Sequence, residues 1–273
     1  MQKKPAGRFW KWIRLTLLIY IIMGIALYFL QERFLFHPQK LPQDHVFSFS
    51  IPFKEINLTV NNDKNLSIVQ FTVPDPVRKG VVLYFHGNLR NIERYARFAS
   101  NFTKNNYEVW MMDYPGYGKS TGKRTEQIMY EDAKNLYKMA RARFAKDSII
   151  IYGKSLGTGV ASYLASVKDC KRLILETPFC SIESLFSHYA FIYPVNWMSK
   201  YHFPTYLNLE KVDAPVTIFH GTSDEVIPYS QSKRLMKIAK AGAELITIEK
   251  GEHNNLNDYP LFHQKLDSVL QQP

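Results

Sequence analysis

The chain has 273 residues, 46% hydrophobic and 14% aromatic, and a formal net charge of +11; this length accommodates one large α/β domain or two small ones and supplies apolar side chains for a sizeable core. No Gly/Ser-rich or Pro-rich linker, internal repeat or low-complexity tract divides it, which favours one domain. The charge does not point to nucleic acid, because Lys3, Lys4, Arg8, Lys11, Arg14, Arg33 and Lys40, set against Glu32, place +6 in the first 40 residues and no basic helical stripe follows.

Leu15 to Leu30 carries no formal charge. As a helix it would span about 24 Å, short of a bilayer core of about 30 Å. Extended back to Phe9 it reaches about 33 Å. Lys11 and Arg14 can then snorkel toward the headgroups, with Trp10 and Trp12 at one interface and Tyr28 and Phe29 near the other. No small-x-small cleavage site follows in Gln31-Glu32-Arg33-Phe34-Leu35-Phe36, which favours an uncleaved signal anchor over a cleaved signal peptide. Five Lys/Arg precede the span, against Arg33 and Lys40 after it. That asymmetry predicts a cytoplasmic N-terminus and a domain outside the cytoplasm, in a periplasm or lumen. Residues 1-40 are therefore expected to be a tail and transmembrane anchor, and residues 41-273 the folded domain.

Lys54 to Val60 alternates, with Ile56, Leu58 and Val60 on one face, and reads as a half-buried strand. Lys64 to Val73 reads as its hairpin partner across Asn61-Asn62-Asp63. Val81 to Phe85 is continuously apolar, as a central strand covered on both faces should be. A helix over 92–104, a strand over 107–112, a helix over 125–145, a strand over 148–152, a helix over 156–167 and a strand over 172–176 follow. A strand over 215–219, a helix over 229–241, a strand over 244–248 and a helix from about Asn257 complete the order. Such alternation predicts an α/β fold with a mostly parallel sheet of about eight strands and helices on both faces, made mixed by the leading hairpin.

From Pro178 to Asp213 no βα unit appears. This long connection holds Phe179, Phe186, Tyr189, Phe191, Tyr193, Trp197, Tyr201, Phe203 and Tyr206. It reads as a small aromatic cap, at about 178-212, most of whose rings are expected to fill the cap's own core. Cys170 and Cys180 flank the 172–176 strand, which would hold their Cα atoms about 20 Å apart, well beyond the reach of a disulfide. Both are expected to be unpaired.

Ligands of open parallel sheets bind beyond the carboxyl ends of the strands. Four groups fall there. Ser155 lies in Gly153-Lys154-Ser155-Leu156-Gly157, Asp224 in His220-Gly221-Thr222-Ser223-Asp224, His253 in Gly251-Glu252-His253, and Asn88 in His86-Gly87-Asn88. The G-x-S-x-G pentapeptide alone arises by chance in about one chain in ten of this length, but coincidence at all four strand ends is far rarer. A serine hydroxyl needs a base to take its proton, and His253 is the expected base. Asp224 would hold the imidazole tautomer, with Glu225 as the rival for that role and Glu252 behind it. The backbone N–H groups of Leu156 and Asn88 are the expected oxyanion donors. Tyr114 and Phe179 are candidate pocket residues. His86 and His220 read as structural, and Lys154 as a residue facing solvent or capping a neighbour. His37, His45, His188, His202 and His263 make no metal-ligand spacing, so neither a metal nor another cofactor is expected.

With these marks in place, from about residue 50 onward the chain resembles the α/β-hydrolase superfamily. It looks most like the membrane-anchored hydrolases that include the plant wavy-growth protein and its fungal and animal relatives. The shared features are the N-terminal anchor, the Asp113-Tyr114-Pro115-Gly116-Tyr117-Gly118 turn, the Gly153–Gly157 elbow, Thr177-Pro178-Phe179 and the run from His220 to Pro228. Members of this branch are often classed as serine peptidases of the aminopeptidase type. Proline iminopeptidases carry a His-Gly-Gly-Pro-Gly loop, whereas this chain reads His86-Gly87-Asn88-Leu89-Arg90. The resemblance thus implies a serine hydrolase acting on esters or thioesters of a lipid-like acyl group or other small molecule. A peptidase using the same triad is the alternative, and a noncatalytic scaffold on the same fold is the third reading.

Overall fold

Eight strands build the main sheet: β1 (Phe53–Asn61), β2 (Lys64–Phe71), β3 (Gly80–Phe85), β4 (Tyr107–Met112), β5 (Ile149–Lys154), β6 (Arg172–Glu176), β7 (Val216–Gly221) and β8 (Glu244–Ile248). Among the described residues ten α-helices accompany them: α1 (Ala6–Leu35), α2 (Ile92–Ala96), α3 (Ser100–Thr103), α4 (Glu126–Arg141), α5 (Leu156–Val167), α6 (Ile182–Tyr189), α7 (Val195–Met198), α8 (Thr205–Leu209), α9 (Ser230–Met236) and α10 (Pro260–Gln271). The structure, a computed structural model, describes residues 6–61 and 63–272. Asn62 in the expected hairpin turn, and Lys3 and Lys4 of the basic tail, lie outside the described residues.

The strand order is β8-β7-β6-β5-β3-β4-β2-β1. β1 and β2 pair antiparallel, as do β2 and β4, and every other neighbouring pair is parallel. The continuous apolar runs follow from this order: all residues of β3 to β7 are buried, because helices cover both faces. Alternate side chains of β3 feed opposite cores. Val81, Leu83 and Phe85 pack with Met129 of α4, Val160 of α5 and Leu235 of α9, whereas Val82 and Tyr84 pack with Phe102 of α3 and Phe262 of α10.

Several expected elements differ in extent: the 125–145 helix ends at Arg141, the 64–73 strand at Phe71, and the 215–219 strand runs on to Gly221. The 92–104 helix is two short helices, because the Phe98 and Asn101 N–H groups bond three residues back, to Tyr95 and Phe98, and tighten the chain between them. The 229–241 helix stops at Met236, where Lys237 and Ile238 likewise bond back to Arg234 and Leu235. β5 runs two residues beyond the expected strand end, to Lys154.

α1 is long and apolar enough to cross a membrane, and it contains the whole Phe9–Leu30 stretch. Its C-terminal end is fastened to the domain. Gln31, Leu35 and Phe36 are buried. Gln31 Nε2 donates to Met198 O at 3.1 Å, and its Oε1 accepts from Lys200 N at 2.7 Å. The chain beyond α1 crosses the loop after β3, where His37–Pro38 pairs in parallel with Leu89–Arg90.

The 178–212 insertion folds as α6, α7 and α8. Phe179, Tyr201 and Phe203 are buried, but Tyr189, Phe191 and Trp197 are exposed, Trp197 at 89%. The expectation that most rings fill the cap's own core is thus corrected: several face outward. Cys170 and Cys180 are unpaired. Burial pushes the Cys170 thiol up to about 12 and raises that of Cys180, so both remain protonated and poorly nucleophilic at neutral pH.

Candidate active site

Ser155 sits between β5 and α5 with φ at +51° and ψ at −120°, a backbone state that costs a non-glycine residue about 1–3 kcal/mol. Small neighbours make the turn possible. A Cβ on Gly157 would lie 2.0 Å from Phe85 O, and one on Gly153 would lie 2.5 Å from Gly157 O. Both obstacles are backbone atoms that cannot swing aside. Gly157→Ala is therefore expected to lower stability by about 3 kcal/mol; a melting temperature equal to wild type would contradict this packing. The Ser155 N–H donates to Glu176 O at 2.9 Å and ties the elbow to the end of β6.

Asp224 and His253 reach the same place from the ends of β7 and β8. Their loops touch: a Cβ on Gly221 would lie 2.1 Å from Gly251 O, and Ser223 N donates to Gly251 O at 2.9 Å. His253 Nε2 lies 2.9 Å from Ser155 Oγ, and His253 Nδ1 lies 2.7 Å from Asp224 Oδ2. All three residues are buried. Asp224 Oδ1 accepts from Val226 N at 2.9 Å and Ile227 N at 2.8 Å. Burial alone would push the Asp224 carboxyl up. Hydrogen bonds from His220 and His253 and from the Ile227 N–H outweigh it and hold the carboxyl well below the usual carboxylate range. An imidazole held by an ionised carboxylate, with its other nitrogen on a serine hydroxyl, is the arrangement that activates a hydroxyl for attack.

Leu156 opens α5, and Asn88 stands in the loop after β3. Among the described residues, neither backbone N–H meets a protein acceptor. Two bonds to Asn88 O, from His37 N at 3.0 Å and Tyr117 Oη at 2.9 Å, fix that loop.

A cavity of about 410 Å³ rises over Ser155. Leu156, Asn88, His253 and Phe179 line it, together with Phe34, Leu35 and His37 from the segment joining α1 to the domain. Tyr114 does not. It is fully buried beneath the β3 loop, where its hydroxyl donates to His86 O at 2.7 Å, so its expected place in the pocket is corrected. The Tyr114 ring instead packs 4.4 Å from the imidazole of His86. His86 is buried with Nδ1 2.7 Å from Gly87 O and Nε2 3.3 Å from Asp113, a scaffold position. His220 bonds Ile227 O at 2.9 Å and also approaches Asp224 Oδ2 at 3.2 Å. That second contact gives His220 a place beside the acid, and the i,i+4 spacing of His220 and Asp224 in one loop is its sequence signal. Glu225 is exposed on the cavity wall and Glu252 is exposed nearby. Neither hydrogen-bonds His253 among the described residues.

Lys154 departs most from expectation. It is 3% exposed, pairs with Glu176, itself 1% exposed, and lines the cavity beside Ser155. Tyr152 Oη donates to the other carboxylate oxygen of Glu176. Of the two readings of Lys154, facing solvent or capping a neighbour, the first is corrected: β5 continues to Lys154, and Glu176 is its direct cross-strand partner. Among the described residues no cluster of three or more His, Cys, Asp or Glu side chains is placed to hold a metal.

Comparison with known proteins agrees with this architecture. Residues 76–207 match the family described as Serine aminopeptidase, S33. Alpha/beta hydrolase domain-containing protein 17C of Xenopus tropicalis is 31% identical over 199 residues, covering 71% of this chain and 63% of that protein. The chain thus spans slightly less than two thirds of this relative. Alpha/beta hydrolase domain-containing protein 17B of Homo sapiens is 29% identical over 224 residues, covering 80% of this chain and 75% of that protein. An esterase of Pyrococcus furiosus superposes with a TM-score of 0.65 at 19% identity, over 86% of this chain and 98% of that one, a likeness of fold alone. By its strand order, its strand-to-helix elbow and these sequence relatives, the chain belongs to the α/β-hydrolase superfamily.

Proposed function

We propose that this protein is a serine hydrolase that cleaves carboxylic esters or thioesters of apolar acyl groups. The observation that carries the reading is the position of His253, within hydrogen-bond distance of both Ser155 and Asp224 at the floor of a largely apolar cavity. Ser155 Oγ attacks the acyl carbonyl carbon while His253 Nε2 takes the hydroxyl proton. Asp224 stabilises the imidazolium, and the N–H groups of Leu156 and Asn88 receive the oxyanion. His253 then returns the proton to the departing alcohol or thiol, leaving an acyl-Ser155 ester. A water molecule, deprotonated by His253, releases the carboxylic acid and restores Ser155.

In the same proposal, residues 1-40 form the tail and an uncleaved transmembrane anchor, residues 41-273 the hydrolase domain, and about 178-212 its cap. The N-terminus lies in the cytoplasm and the domain on the opposite side. The apolar α1 and the basic residues before its central stretch support this topology.

A peptidase with the same triad is the second reading, favoured by the description of the matched family and by the Glu225 carboxylate on the cavity wall, where a substrate amine would find a counter-charge. A panel of p-nitrophenyl acyl esters and aminoacyl-p-nitroanilides separates the two. The expected result is turnover of esters with kcat/KM rising as the acyl chain lengthens. Faster turnover of the anilides, with loss on Glu225→Gln, would establish the peptidase instead.

A further inference from the structure

Residues 189–198 carry no charged side chain, from Tyr189 to Met198, and lie between His188 and Lys200. This stretch runs along the uncharged face of α1. The Tyr193 ring stacks on Tyr20 with centroids 4.6 Å apart, and Gly24 leaves room for it. Tyr20 Oη donates to Ile192 O at 2.8 Å, and at the other end Gln31 bonds Met198 O. Tyr20 and Gln31 are about 16 Å apart along the helix. An anchor that leaves the bilayer near Gln31 therefore carries this edge of the cap into the leaflet on the domain's side, across about half of a 30 Å hydrocarbon core.

The segment is suited to that solvent. Phe191 is 82% exposed and Trp197 89%, a patch out of place in water. Four of its backbone N–H groups, those of Ala190, Tyr193, Val195 and Trp197, donate to Phe186, Ala190, Tyr193 and Pro194 oxygens, which lowers the cost of placing this backbone in lipid. Lys200 Nζ lies 4.6 Å from the Tyr28 ring centroid, where an ammonium at headgroup level would stand.

A second cavity, of about 340 Å³, lies between α1 and the cap, walled by Leu27, Tyr193, Val195 and Met198. Phe34, Phe186 and Tyr189 belong to its wall and to the wall of the Ser155 cavity. We propose that residues 189–198 are embedded in the leaflet beside α1, and that the acyl chain of a membrane-resident substrate enters from the lipid through the α1–cap cleft, past Phe34, Phe186 and Tyr189, to Ser155. The substrate part of this proposal rests on the hydrolase and anchor readings above.

The test uses the full chain in phosphatidylcholine vesicles whose acyl chains are brominated, on a Trp10→Phe/Trp12→Phe background. Buried Trp110 then serves as the internal reference and Trp197 as the probe. Bromines are expected to quench the Trp197 emission, and Trp197→Phe should remove the quenched component. Unquenched Trp197 overturns the embedding. Phe191→Asp/Trp197→Asp is expected to lower hydrolysis of a long-chain ester dissolved in the vesicles by at least about tenfold, the least expected of charges moved into lipid, while leaving a short water-soluble ester unaffected. Unchanged hydrolysis of the vesicle-bound ester overturns the entry route. Quenching is also read on Ser155→Ala, so quenching in a wild-type protein that turns over no ester removes the hydrolase reading and leaves the embedding standing.

Discussion

Ser155→Ala is expected to abolish labelling by a fluorophosphonate probe and to lower kcat for ester hydrolysis by about 10⁶, the scale on which a triad serine acts. The elbow hydroxyl is the group bonded to His253, and alanine leaves the imidazole with nothing to deprotonate. Equal labelling of the variant would dismiss Ser155 as the nucleophile. Asp224→Asn should lose about 10⁴, because the amide cannot hold the imidazole tautomer or stabilise its charge. Glu225→Gln should retain ester turnover, since Glu225 is exposed and makes no hydrogen bond to His253 among the described residues. Unchanged turnover in Asp224→Asn would transfer the acid role to Glu225. The depressed carboxyl of Asp224 adds a stability test. A group with a lowered folded-state value contributes stability above its unfolded value, about 3.9, and loses that contribution as the pH falls toward the folded value. Urea titrations of wild type and Asp224→Asn should therefore diverge most near neutrality and converge below about pH 4; a gap that widens on acidification would contradict the assignment.

How much of this arrangement is legible before folding depends on whether a local rule governs each residue. Ser155, Asp224 and His253 are placed by strand ends, and strand ends follow from apolar runs flanked by glycine, so their convergence can be read from chain order. The central strands are equally plain, because burial on both faces leaves no polar position to confuse the period. Tyr114 stands in a turn, where no period says which way a side chain points, and it goes inward to His86 O. The cap defeats sequence reading for a different reason. Its aromatic residues have the same composition whether they face a protein core or a lipid leaflet, and only the packing of Tyr193 on Tyr20 and Gly24 separates the buried rings from the outward ones. Likewise the contribution of Phe34, Leu35 and His37 to the cavity depends on a crossing between the end of α1 and the β3 loop that no local pattern encodes.

Lys154 was recoverable in principle. Tyr152 shares the core of α3 and α10 with Ile174, so two residues further along parallel strands, on the same face, come Lys154 and Glu176. Opposite charges placed directly across a buried ladder must pair or be neutralised. Lys154→Met is accordingly expected to destabilise the fold by about 3–5 kcal/mol, because it leaves the Glu176 carboxylate buried with only the Tyr152 hydroxyl. Lys154→Met/Glu176→Gln should regain most of that loss, since the neutral amide still accepts from Tyr152. Ester hydrolysis should follow the same order: the Ser155 N–H bonds to Glu176 O, so a carboxylate drawn toward water drags on the elbow, whereas the double variant leaves it at rest. Urea denaturation and kcat measured on the same samples read both effects. If the single variant unfolds at the wild-type midpoint, water in the cavity solvates Glu176 well enough to replace the ammonium, and the role of Lys154 shifts from holding the elbow to presenting a positive charge at the cavity wall.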